Sequence, residues 1–100
     1  MKIELEIKNI ILEDIDPEKI IILNMGPIYL IVVVWNKEMS NFEKRVYIRR
    51  LLKFVNFPFD ITVLTSDKYG HVMQKVDSLT LEVIKNGDIV YDRNEGCLAI

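Results

Sequence analysis

The chain has 100 residues and a formal net charge of −2, and half of it is hydrophobic, with Ile, Val and Leu supplying 35 residues and Ala only one. That is enough bulky apolar material for one buried core, and the pairing of high hydrophobicity with small net charge excludes a disordered chain. The charge balance also gives no sign of a basic nucleic-acid binder, so nucleic acid is not an expected partner.

No repeat, low-complexity stretch or linker divides the sequence, and it is read as one domain over residues 1–100. Near the N-terminus, Ile3, Ile7, Ile10 and Ile11 fall on a helical stripe over residues 2–15. Ile3, Leu5 and Ile7 also alternate, so a strand is the competing reading, and helix is preferred. The opening MKIELEIK intersperses acids with apolar residues, which is not a leader pattern, so a cytoplasmic protein is expected. Asp14 to Pro17 breaks this first element.

Residues 20–35 then contain no charged side chain, a run of 16. A bilayer-spanning helix needs roughly 18 apolar residues. The run is also interrupted by Asn24-Met25-Gly26-Pro27, which is turn chemistry. Ile and Val dominate both halves, which favours strands. The run is therefore expected to be an antiparallel hairpin of Lys19–Asn24 and residues 28–35, placed centrally in a sheet because both strands are apolar on both faces.

Ser40 followed by Glu43 has the capping-box spacing. It predicts a helix to about Val55 with Tyr47, Ile48, Leu51, Leu52 and Val55 on its core face. Pro58 forbids continuation, and residues 59–65 alternate as a third strand. Its position after a helix allows a βαβ unit with the second strand. Ser66 is the expected cap of another helix, with a stripe of Val72, Val76, Leu79 and Val83. Asn86-Gly87 supplies the usual glycine stop. Asp88–Asp92 is a short last strand. The expected fold class is α+β: a mixed sheet of about four strands packed with helices, in the order α-β-β-α-β-α-β.

Several local strings, in that order, carry a resemblance. They are Pro17-Glu18-Lys19-Ile20-Ile21-Ile22-Leu23, Leu30-Ile31-Val32-Val33-Val34, Phe59-Asp60-Ile61-Thr62-Val63-Leu64-Thr65, and Ile84-Lys85-Asn86-Gly87-Asp88-Ile89-Val90-Tyr91-Asp92-Arg93. Over roughly residues 10–93 the chain resembles the minimal nucleotidyltransferases of the DNA polymerase β superfamily. The resemblance implies a Gly-Ser loop after the first strand that holds phosphates. It also implies an Asp-x-Asp pair on the second strand and a third acid on the third strand, which together bind two divalent metal ions. Acids at i and i+2 share one face of a strand, which is why the pair takes that spacing.

The sequence departs from this pattern at its decisive points. Asn24-Met25-Gly26-Pro27 stands in place of the loop, and Pro27 has no N–H to donate. Pro27-Ile28-Tyr29 stands where the acid pair belongs. Only Asp60 matches the family's carboxylates. One carboxylate cannot hold two metal ions, although a single weak magnesium site at Asp60 is conceivable. The resemblance therefore implies a fold without its reaction, with no cofactor. Small members of that family act beside a helical partner, as the antitoxin half of a two-gene pair. A helical toxin-like protein or a second copy of the chain is thus the expected partner. The alternative is an active metal-dependent nucleotidyltransferase with a site rebuilt around Asp60, which would need magnesium. A regulatory nucleotide binder ranks last, because the turn at Asn24 offers too few amides to cradle a phosphate.

Other candidates have plainer readings. Asp60 without partner acids fits a solvent-facing or edge-capping residue. Asp67 and His71 fit a surface i, i+4 pair better than a metal or acid–base site. Arg45, Arg49 and Lys53, with Arg50 and Lys44 adjoining, form a basic stripe, either a solvated helix face or a docking face for an acidic partner. Ser66 has no base beside it and reads as a cap. Tyr29 and Trp35 share a strand face, which suits core packing rather than base stacking. Cys97, the one cysteine, excludes an internal disulfide and fits a reducing compartment.

Overall fold

The computed structural model describes residues 3–70 and 78–97. The described elements are α1 (Ile3–Asp14), β1 (Lys19–Asn24), β2 (Tyr29–Val34), α2 (Asn41–Leu51), β3 (Phe59–Leu64), α3 (Ser66–Gly70), α4 (Ser78–Asn86), β4 (Asp88–Asp92) and β5 (Gly96–Cys97). This is the expected α+β class and the expected succession of elements, with the single helix expected after β3 described as two, α3 and α4. The two-residue β5, for which the tail gave no signal, is an addition.

The strands lie in the order β3-β2-β1-β4-β5. The uncharged run forms the predicted hairpin, with β1 and β2 antiparallel and Asn24 opposite Tyr29. Its turn is closed by Met25 N–H donating to the Ile28 carbonyl at 2.9 Å and by Gly26 N–H donating to Asn24 Oδ1 at 3.1 Å. Gly26 takes a φ of 93°, a conformation that a residue with a Cβ rarely adopts. The β2–α2–β3 crossover is a βαβ unit, since β2 and β3 pair in parallel with Leu30 beside Asp60 and Ile31 beside Ile61.

Both faces of the sheet are covered, which is why β1 and β2 carry branched apolar residues on both sides. On one face, α1, α2 and the cap of α2 bring Ile7, Ile11, Ile48 and Leu52 against Ile20, Ile22, Ile31, Val33, Ile61, Val63 and Val90. On the other face, Val83 of α4 packs with Ile21, Leu30, Val32 and Leu64, and Tyr69 of α3 lies at the margin. Every residue of β2 is buried, and each such Ile, Leu or Val contributes roughly 1.5–3 kcal/mol by leaving water. Tyr29 and Trp35 both face the α1–α2 layer and pack there. Tyr29 meets Phe57 edge-on at 5.7 Å, and Trp35 meets Tyr47 at 5.9 Å.

The first element is helix rather than strand, over Ile3–Asp14. α2 begins at its predicted cap, with Glu43 N–H donating to Ser40 Oγ at 3.1 Å and Ser40 Oγ–H donating to Glu43 Oε1. Its end differs from expectation. The helix stops at Leu51, and Leu52 N–H donates to both Ile48 and Arg50 carbonyls as the turn tightens. Val55 is still buried, but from the loop. Tyr47, expected in the core, is 39% exposed. Lys44, expected in the basic stripe, is instead buried, because its ammonium donates to the Trp35 carbonyl at 2.7 Å at the end of β2.

The helix after β3 also differs. Thr65, not Ser66, is its cap, with Thr65 Oγ1 accepting from Lys68 N–H at 3.2 Å. Ser66 instead exchanges hydrogen bonds with the Asn36 amide, at 2.8 Å in each direction. In α4, Val83 is buried as expected but Leu79 is 48% exposed, since it lies beyond the edge strand β3. Val72 and Val76 lie outside the described residues. Gly87 follows α4 as expected, but without the left-handed backbone of a usual glycine stop. Its role is steric, as its neighbours Val83 and Ile21 show below.

Candidate functional site

Asp60 sits on β3, the outermost strand on its side of the sheet. Its carboxylate accepts the N–H of the next residue, Ile61, at 3.0 Å. It also lies 3.7 Å from the Arg49 guanidinium, and both side chains are more than half exposed. Arg49 spreads over the Phe59 ring at 5.4 Å as well. Beside Asp60 a cleft of about 180 Å³ opens along the strand edge, lined by Asp60 and Thr62, by Arg45 of α2 and by Leu79, Thr80 and Val83 of α4. The two helices overhang β3 from opposite faces, and the cleft is the space between them.

The acids that the resemblance implies would stand at residues 27–29, just before and at the start of β2. There the chain offers Ile28 and Tyr29, followed by Leu30 directly beside Asp60. Ile28 and Leu30 belong to the apolar cluster under α4. Among the described residues no group of three or more His, Cys, Asp and Glu could hold a metal ion. The residues present therefore do not fit a two-metal centre. Asp60 supplies one carboxylate, shared between an arginine and a backbone amide.

The basic stripe is real apart from Lys44. Arg45, Arg49, Arg50 and Lys53 are exposed, and they are joined by Phe42 and Phe54, which are 69% and 84% exposed. Phe57 follows at 49%. The sequence reading missed these aromatics, although the period that put Ile48 and Leu52 inside puts Phe42 outside. A shallow hollow runs beside Phe42, between Met39, Glu43, Val46, Tyr47 and Arg50.

A second polar cluster was not foreseen, because its members are far apart in sequence. Lys19 of β1 lies 3.3 Å from Asp92 of β4 and 3.3 Å from the Tyr69 hydroxyl, and 4.7 Å above the Tyr69 ring. Burial pulls the Lys19 ammonium down, but Tyr69 and Asp92 outweigh it and hold it above its ordinary value. Arg93 ties the same region together through Asp16, at 3.1 Å, and Glu18, at 2.5 Å. These contacts pin β4 to the start of β1, and their role is structural. Tyr47 donates to Asp14 at 2.9 Å, which raises the phenol above its usual range and fastens α2 to the end of α1. Of the remaining candidates, Asp67 lies in α3 and Cys97 in β5, while His71 is outside the described residues.

Comparison of the chain with family models, with curated proteins and with solved structures returns no match. Among the described residues, no helix is long and apolar enough to cross a membrane.

Proposed function

We propose that this protein works by binding a partner protein through the outer face of α2 and the turn that follows it, and that it does not catalyse a reaction of its own. One observation carries the reading: Phe42 and Phe54 stand exposed among Arg45, Arg49, Arg50 and Lys53. A phenylalanine left in water forgoes roughly 1.5–3 kcal/mol. Aromatic residues and arginine are the types that dominate the centres of protein interfaces.

Glu43 is the only acid between Ser40 and Val55. The face thus fits an acidic protein surface, which the arginines would steer and the aromatics would hold. A helical partner of the kind implied by the nucleotidyltransferase resemblance suits a helix face of this length. A second copy is the other occupant with suitable charge, since α1 carries Glu4, Glu6, Glu13 and Asp14.

Co-expression with the product of the adjacent gene, followed by sedimentation, tests the reading. A complex or dimer is expected, weakened by salt and lost in the Phe42→Ala, Phe54→Ala double variant. A monomer with no complex overturns the reading. So does transfer from labelled nucleoside triphosphates in the presence of magnesium or manganese, which would support a working site at Asp60 instead.

A further inference from the structure

The outer edge of β3 has a definite polarity. The Pro58 carbonyl accepts from Tyr29 N–H at 3.0 Å, and the Leu64 carbonyl accepts from Trp35 N–H at 2.8 Å. Backbone groups alternate sides along a strand, so the even-numbered residues of β3 turn theirs to β2. Phe59, Ile61 and Val63 therefore present N–H and C=O groups outward. Among the described residues, no strand pairs with that side. The middle donor, Ile61 N–H, is the one taken by the Asp60 carboxylate. A row of outward backbone groups is a template for another strand, and here a side chain of the same strand holds its centre.

The surroundings restrict what could add there. Arg45 and Arg49 of α2 flank the edge on one side, and Leu79 of α4, half exposed, flanks it on the other. A second copy pairing β3 with β3 would bring two α2 helices side by side, with arginines facing arginines, and like charges oppose that arrangement. An extended segment with carboxylates on one face and apolar side chains on the other meets the arginines and Leu79 together. Strand addition of this kind takes its affinity from main-chain hydrogen bonds and its specificity from alternate side chains.

We infer that the edge of β3 is a strand-addition site for an acidic, extended segment of a partner protein, and that Asp60 occupies it when no partner is bound. The inference rests on the proposed function only in taking the partner to be an acidic protein; its surface is the β3 edge, which shares Arg45 and Arg49 with the α2 face but not Phe42, Arg50 or Phe54. Asp60 acts as an internal competitor. Its carboxylate holds the Ile61 amide and the Arg49 guanidinium, the groups that an incoming strand and its carboxylate would take. The Asp60–Arg49 pair is exposed, and such pairs are weak enough to exchange.

A short capped peptide alternating Glu and Val is the probe, and backbone amide exchange followed by NMR is the readout. Saturating peptide is expected to slow exchange of the Ile61 and Val63 amides by about tenfold or more, as new ladder bonds do. Methylating alternate backbone nitrogens of the peptide should abolish the effect. Arg45→Ala with Arg49→Ala should weaken binding roughly tenfold, and Asp60→Asn should strengthen it several-fold. The Phe42→Ala, Phe54→Ala variant should bind the peptide unchanged, because it alters neither the β3 edge nor Arg45 and Arg49. No protection at these amides, or protection indifferent to N-methylation, overturns the inference. Shifts confined to Phe42, Arg50 and Phe54 also overturn it, while leaving the α2 reading standing. Protection at β3 alongside loss of every α2-dependent complex does the reverse.

Discussion

Gly87→Ala tests how tightly α4 is seated on the sheet. A Cβ at Gly87 would lie 2.6 Å from the Val83 carbonyl oxygen, 2.9 Å from Ile21 Cγ2 and 3.1 Å from the Ile22 carbonyl oxygen. Two of these neighbours are backbone, one in the last turn of α4 and one in the central strand β1. Neither can rotate aside, so the helix end must move off the sheet. Gly87 N–H also donates to the Val83 carbonyl at 2.7 Å, and that bond would lengthen with the shift. Overpacking of this kind costs about 1–3 kcal/mol. The smaller entropy of an unfolded chain with alanine offsets about 0.4–1 kcal/mol of it. A net loss of about 1–2 kcal/mol corresponds to a fall in Tm of roughly 5–15 °C for a domain of this size. Thermal melts by circular dichroism measure it, with Gly70→Ala as the control. Nothing lies within 4 Å of a Cβ at Gly70, so that variant should melt as the parent does or slightly above it. If Gly87→Ala melts within about 2 °C of the parent, less than half the smallest expected shift, the close approach of α4 to β1 is wrong.

Ser40→Ala removes the acceptor of the Glu43 amide and should cost about 1 kcal/mol in urea melts; unchanged stability would discount the cap. Lys44→Met keeps the buried stem but leaves the Trp35 carbonyl without its donor, at a cost of about 1–3 kcal/mol near neutral pH. Burial holds the Lys44 ammonium below its ordinary value of 10.5. Below 10.5 the unfolded chain therefore binds more protons at this residue, and its contribution to stability rises with pH towards that value. The stability difference between parent and Lys44→Met should accordingly widen from about pH 8 to about pH 10, whereas a constant difference would show that Lys44 is not desolvated. Lys19 and Tyr47, both held above their ordinary values, lose their contributions as pH rises further, and they do so equally in both proteins. Asp60→Asn should change stability by less than about 1 kcal/mol, because its ion pair is exposed; a larger loss would mean that Asp60 is buried in a network.

The layers of the fold were legible because period and burial coincide. Ile7 and Ile11, Ile48 and Leu52, and the alternation of Ile61 and Val63 each place one face inward, and the structure follows them. The ends of elements were less legible. The end of α2 is set by a tightened turn at Leu52, and the cap after β3 by Thr65 rather than Ser66. In both cases a neighbouring residue could serve equally well on local grounds. Lys44 was misplaced for a different reason. Its type says surface, and only the three-dimensional meeting of α2 with the end of β2 supplies the carbonyl that lets it go inside. The candidate site was half visible. Asp60 stood out as an acid on an apolar strand and the α2 arginines as a stripe. Their adjacency depends on the parallel pairing of β2 with β3 and on the helix between them.

The uncharged run and the lone acid on β3 have one physical cause. Leu30 and Asp60 are neighbours across the β2–β3 ladder, yet they live in different solvents. Leu30 is 6% exposed, closed in by Ile21, Val32, Leu64 and Val83, whereas Asp60 stands at an open edge between two overhanging helices. A carboxylate at position 30 would lose most of its water among apolar side chains, where the backbone neighbours are already paired within the sheet. Such a group either costs several kcal/mol or stays protonated. At position 60 a carboxylate keeps its water and gains an arginine and a free amide. Burial by helices on both faces therefore accounts for the absence of charge from the buried residues 20–22 and 29–35, whatever the chain's ancestry, while the exposed turn between them is uncharged because turn residues occupy it. The same rule explains why the one charged residue of β3 is found where the sheet meets solvent. It also fixes what Asp60 can do. An acid whose strand neighbours must be apolar cannot gather a cage of carboxylates, but it can guard the backbone of the edge on which it sits.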